Sequence, residues 1–145
     1  IPNCNKVAWW NSTSQSAESY FTVTFPPYYV GKNFDIKPAR GYEAQVTTNA
    51  VWTVSGWVPY IDPIRLKTGA NWIGMPFNTT INDADGLIKD IPNCNKVAWW
   101  NSTSQSAESY FTVTFPPYYV GKNFDIKPAR GYEAQVTADV TWTPQ

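Results

Sequence analysis

The residues from Ile1 to Thr47 recur without a single change as Ile91 to Thr137, an offset of 90 positions. No fold requires identity of that kind, because surface positions accept many substitutions at little cost in stability. Recent duplication, gene conversion or deliberate joining stands behind it. Similarity resumes at Trp52 and Thr53, which match Trp142 and Thr143 after the divergent stretches 48–51 and 138–141. The repeating unit is therefore about 90 residues long, and the 145-residue chain holds about one and a half of them. Residues 1–54 form an incomplete first copy, the C-terminal part of the unit, and residues 55–145 a complete second copy. A piece of a longer tandem array and an engineered chimera both fit this pattern.

Eleven Lys and Arg residues balance eleven Asp and Glu, for a formal net charge of zero. Nucleic-acid affinity rests largely on basic side chains that displace counterions, so no nucleic-acid partner is expected. Only 15% of residues are charged whereas 17% are aromatic, a large burial payload for a short chain and the opposite of a disordered composition. There is no histidine. That absence removes Ser-His and Cys-His catalysis and the usual catalytic zinc sets, and no cofactor is expected. Glu18, Asp35 and Glu43 are the candidates for a glycosidase-like acid and base, but Glu43 alternates onto the outer face of its strand and nothing signals a raised pKa. A non-catalytic role is expected. No apolar run approaches the roughly 20 residues that cross a bilayer, so no transmembrane segment is expected. Ile1, Pro2, Asn3 and Cys4 do not begin a leader peptide, and the sequence reads as a mature chain or a fragment.

Ile64 and Leu66, then Trp72 to Phe77, read as two short strands around the turn Lys67-Thr68-Gly69-Ala70. A helix follows, with Asn82 as N-cap, Asp83 and Asp85 in its first turn, and Ala84, Leu87, Ile88 and Ile91 on one face at i, i+3, i+4 and i+7. Pro92 ends it. Val97 to Trp100 and Tyr110 to Phe115 form a hairpin around a polar turn from Asn101 to Glu108. Pro116-Pro117-Tyr118-Tyr119 is expected to break the ladder, since proline donates no backbone hydrogen bond. Phe124 and Ile126 read as a short strand, Pro128 to Gly131 as a turn, and Tyr132 to Val136 as a strand with Tyr132, Ala134 and Val136 on one face. A final strand carries Trp142. One helix and six or seven short antiparallel strands per unit make the expected fold class α+β, predominantly β. The first copy lacks its own equivalent of Ile64 to Asp90. Its strands are therefore expected to be completed by Trp57 to Asp90 of the same chain, or by strand addition from a neighbour.

The strand Gly69-Ala70-Asn71-Trp72-Ile73-Gly74-Met75-Pro76, the acidic-capped helix, the Trp-bearing hairpin and the Phe-x-Ile-x-Pro-x-x-Gly-Tyr turn that begins at Phe124 form one pattern. It resembles a repeat of large bacterial and archaeal surface proteins, the components of S-layers, sheaths or adhesin stalks. The resemblance spans Ile64 to Thr143, and its motifs are structural. It implies a non-catalytic structural module of an extracellular tandem-repeat protein in a cell-surface coat, sheath or stalk, which self-associates through repeated contacts between identical modules. A carbohydrate-binding or adhesive module is the alternative.

Cys4 and Cys94 hold equivalent positions, and equivalent points of successive modules normally lie farther apart than the roughly 7 Å that a disulfide spans between Cα atoms. One thiol per module leaves two readings: a cross-link between chains in an oxidising exterior, or a small buried residue after the helix stop. Asn11, Asn78 and Asn101 head Asn-x-Ser/Thr sequons in turns, sites for N-glycosylation or products of a composition rich in these residues. Asn82, Asp83, Asp85 and Asp90 form an oxygen-rich cluster without the spacing or closing Glu of an EF-hand, and helix capping accounts for it without a metal. Trp9, Trp10, Tyr28 and Tyr29, repeated as Trp99, Trp100, Tyr118 and Tyr119, offer flat faces for packing against the next module or for stacking on glycans. Adjacent aromatics in a strand point to opposite sides, so at most one of each Trp pair is inward.

Overall fold

A computed structural model describes residues 1–53, 62–115 and 117–145. The expected boundary between the copies, at residues 54 and 55, and the Trp57 end of the expected completing segment lie outside the described residues.

Cys4–Asn11 (β1), Ser16–Thr24 (β2), Pro27–Gly31 (β3) and Tyr42–Val46 (β4) form a four-stranded antiparallel sheet in the order β3-β2-β1-β4. Next come Ile64–Leu66 (β5), Gly69–Gly74 (β6) and the helix Ala84–Asp90 (α1). Cys94–Asn101 (β7), Ser106–Thr114 (β8), Pro117–Gly121 (β9) and Gly131–Val136 (β10) then repeat the first arrangement at the same registers. Val7 lies opposite Tyr20 and Ala44 in one sheet, as Val97 lies opposite Tyr110 and Ala134 in the other. The second sheet has one more strand, because β6 pairs along the far side of β10 and gives the order β6-β10-β7-β8-β9. Val140–Trp142 (β11) pairs with β5. Antiparallel sheet with one short helix is therefore the predominantly β architecture that the alternating patterns predict.

Local chemistry explains the elements. At the tip of β7-β8, Asn101 Oδ1 accepts from the Thr103 and Ser104 N–H groups at 3.0 and 3.3 Å, an Asx turn that reverses the chain. The turn spans only residues 102–105, shorter than expected, because β8 already begins at Ser106. Pro117 does not break the ladder: it stands opposite Thr114 at the start of β9, an edge strand, where a missing N–H costs no sheet bond. Phe124 and Ile126 are not in a regular strand. They flank Asp125, which makes an isolated bridge to Asp83, with the Ala84 N–H donating to Phe124 O at 2.9 Å and the Ile126 N–H to Asn82 O at 2.8 Å. The turn that follows is closed by its own Tyr132, whose hydroxyl oxygen accepts from the Lys127 N–H at 2.7 Å.

Helix α1 is capped by Asp83 rather than Asn82, with Asp83 Oδ1 accepting from the Gly86 N–H at 2.7 Å. Its seven residues are too few to hold a helix alone, so packing must supply the stability. The predicted stripe does so: Ala84, Leu87, Ile88 and Ile91 are all buried. They join Ile73, Val97, Phe124, Ile126, Tyr132 and Val136 in one core, where each fully buried aliphatic side chain contributes about 1.5–3 kcal/mol. The first copy has no such core, and Ala8 is its one buried hydrophobic residue among those described. Among the described residues β4 pairs with β1, and β6, which pairs along β10, meets the first copy at Ala39–Gly41, just ahead of β4.

Candidate assembly surface

The two copies meet along the outer edge of β6. Arg40 bridges to Ile73, the Gly41 N–H donates to Trp72 O at 3.1 Å, and the Gly74 N–H donates to Ala39 O at 3.0 Å. This approach is backbone to backbone. A β-carbon on Gly41 would lie 2.8 Å from Ile73 O, and one on Gly74 would lie 2.7 Å from Arg40 O, so only glycine fits either position. At the other end of β6, Gln15 grips Ala70 from both sides, its Oε1 accepting from the Ala70 N–H at 2.8 Å and its Nε2 donating to Ala70 O at 3.1 Å. The Trp10 indole N–H donates to the same carbonyl at 2.7 Å, and its ring stacks on Trp72 with centroids 5.8 Å apart. β6 is thus bonded on both sides, and its edge is hidden from other strands.

Of the candidate site residues named from the sequence, Trp10 alone takes part in this seam. Its equivalent Trp100 is 58% exposed, and Gln105, the equivalent of Gln15, bonds locally to Ser102 O at 2.7 Å. Trp9 and Trp99 are partly buried beneath Arg40 and Arg130, whose guanidinium carbons lie 5.1 and 4.5 Å from the ring centroids. Their indole N–H groups are buried without a protein partner. Tyr29 and Tyr119 stack on Tyr20 and Tyr110 at 5.2 Å, while Tyr28 and Tyr118 also stand exposed on the edge strands.

Cys4 and Cys94 are free and partly buried, each thiol donating to the carbonyl two residues on, at 3.2 and 3.3 Å. Burial pushes the Cys94 thiol up to about 11. Asn11 and Asn101 organise their turns, with Nδ2 donating to Glu18 and Glu108 at 2.7 and 2.6 Å, whereas Asn78 is exposed in the turn after β6. The acidic residues around α1 are engaged in structure. Besides the Asp83 cap, Asp85 pairs with Lys89, which raises the lysine pKa, and Asp90 Oδ2 accepts from the Trp142 indole at 2.7 Å. Among the described residues no cluster of three or more potential ligands is placed to hold a metal. Glu43 pairs with Lys6 at 2.9 Å, and no described helix is long and apolar enough to cross a membrane.

Gln15, Ala39 and Gly41 were not singled out by type and spacing, and Gly69, Ala70 and Gly74 entered only as parts of a turn and a strand motif. A glycine inside a strand marks a close backbone approach, and Gly74 carried that signal, but the partner it approaches lies in another copy. No protein-family model, curated protein or solved structure matches the chain.

Proposed function

We propose that the chain is a non-catalytic structural module of an extracellular repeat protein, serving in a surface coat, a sheath or a stalk. One observation carries this reading: Trp10, Gln15 and Ala39–Gly41 of the first copy of the duplicated segment contact β6, a strand of the unit that contains the second copy, so that one unit meets the next through unlike faces. A contact between unequal faces can be repeated from one unit to the next, so identical modules joined by it form a series. Trp100 and Gln105 present the same side chains again at the far copy. The resemblance of the Ile64–Thr143 pattern to repeats of surface proteins supports a place outside the cell. In a test, one, two or three further copies of residues 48–137 are appended, and the maximum dimension is measured by small-angle scattering. Equal increments per unit are expected, and a compact particle of irregular growth would refute the module.

The adhesive reading draws on the exposed Trp100 face and on a cleft of about 350 Å³ between the copies, where Trp10 and Trp72 meet Arg40, Arg65 and Lys37. Glycan-array binding lost on Trp100→Ala, with folding intact, would favour it over the structural module.

A further inference from the structure

The fold treats the three Asn-x-Ser/Thr sequons in two different ways. In Asn11-Ser12-Thr13, Asn11 Oδ1 accepts from the Thr13 and Ser14 N–H groups at 3.1 and 3.3 Å, and Asn11 Nδ2 donates to Glu18 at 2.7 Å. Asn101-Ser102-Thr103 repeats the arrangement at 3.0, 3.3 and 2.6 Å. Both ends of each amide are engaged. The threonine that would present its hydroxyl is tied to the same amide through its own N–H, so each sequon is locked in the turn that it builds.

Asn78-Thr79-Thr80, between β6 and α1, is built differently. Asn78 and Thr80, which carry the acceptor nitrogen and the assisting hydroxyl, are both exposed. The middle residue holds the turn: the Thr79 N–H donates to Pro76 O at 3.3 Å, and Thr79 Oγ1 accepts from the Ile81 N–H at 3.2 Å. Pro76 on one side and Ile81 on the other are buried. The loop is therefore anchored through its ends and its middle, while the reacting groups of the sequon face outward. Beside them the Phe77 ring, 54% exposed, offers an apolar face to the first sugars.

We infer that Asn78 is the N-glycosylation site of the unit and that the fold withholds Asn11 and Asn101. In the transfer, Asn78 Nδ2 forms a bond to the anomeric carbon of an oligosaccharide. The bond from that carbon to a lipid diphosphate breaks, the diphosphate leaves with the electron pair, and Nδ2 releases one proton. A transferase must receive the amide free of local bonds. At Asn11 and Asn101 three hydrogen bonds must open first, and at about fivefold in population for each, the folded chain presents them about a hundredfold less often than Asn78. Asn78 is not one of the seam residues, so a saccharide there is compatible with a series of units. The inference rests on the extracellular reading of the module.

The folded full chain is incubated with a lipid-diphosphate oligosaccharide and an oligosaccharyl transferase that modifies short peptides of residues 74–82 and 97–105 at comparable rates. Intact mass counts the additions and peptide mapping locates them. One addition, at Asn78, is expected, with initial rates at Asn11 and Asn101 lower by about a hundredfold. Asn78→Gln should remove the fast addition and Asn101→Gln should leave it. Glu108→Ala releases the Asn101 amide nitrogen and should speed the reaction at Asn101 by about fivefold or more. Equal rates at the three sequons would overturn the inference, as would an Asn78 that stays unmodified while its peptide is accepted, or an Asn101 that reacts no faster in Glu108→Ala. Regular growth of the extended chains without modification of Asn78 would remove the site and leave the module standing; modification in chains of irregular growth would do the reverse.

Discussion

Asp139 and Cys94 show how far a single residue's surroundings can move its chemistry. Asp139 accepts from Lys67 Nζ and from both the N–H and hydroxyl of Thr68, and these bonds, the lysine's foremost, pull its carboxyl down from 3.8 to about 2. A lowered folded-state pKa stabilises the fold fully above the ordinary carboxylate range and is lost as pH falls through the folded value. The difference in melting temperature between the parent chain and Asp139→Asn should therefore be constant above about pH 4 and close between about pH 4 and pH 2. Parallel acid melting curves for the two proteins would contradict it. The Cys94 thiol, held at about 11 by burial, is about 0.1% thiolate at pH 8, against about a quarter for an ordinary cysteine. Its reaction with a thiol-specific reagent should be slower in the folded chain than in urea by about two orders of magnitude, as mass spectrometry of the labelled peptide would reveal. Equal rates would show that burial does not control the thiol.

Among the elements, α1 depends most on its neighbours. Leu87 is fully buried between the helix and the sheet, so Leu87→Ala should cost about 2–5 kcal/mol and Leu87→Asp more, through an unpaired buried charge. Urea denaturation measures both, and a loss below about 1 kcal/mol for Leu87→Ala would mean that the helix is not docked. The stripe of Ala84, Leu87, Ile88 and Ile91 was legible because helical periodicity and burial coincide there. Its cap was displaced by one residue, since Asn82 and Asp83 are both good caps and only the bond to the Gly86 N–H selects Asp83. Pro117 misled because its effect depends on whether its strand is central or at an edge, which is a property of the sheet and not of the local sequence. Phe124 and Ile126 alternate like a strand, yet their backbone groups bond to the N-terminal end of α1, a partner about 40 residues away that no local pattern names.

At the level of the whole molecule, identical residues acquire different roles by position. Trp10→Ala removes a ring stack and a hydrogen bond from the seam and should cost about 2 kcal/mol, whereas Trp100→Ala should stay within about 0.5 kcal/mol. Chemical denaturation of the two variants makes the comparison, and equal costs would mean that the seam does not couple the copies. The duplication was visible at once in the sequence, and so was the lack of a strand pair and helix in the first copy. The seam was not, because its donors are mostly main-chain groups and its glycines matter for what they lack. That absence of side chains has a mechanical consequence. Gly41 and Gly74 bring peptide groups into direct contact, so the spacing between neighbouring units is gauged by the thickness of the backbone itself. A series built on this seam would hold a constant pitch while its outward-facing residues drift, and a single added methyl group at either glycine would lengthen the step.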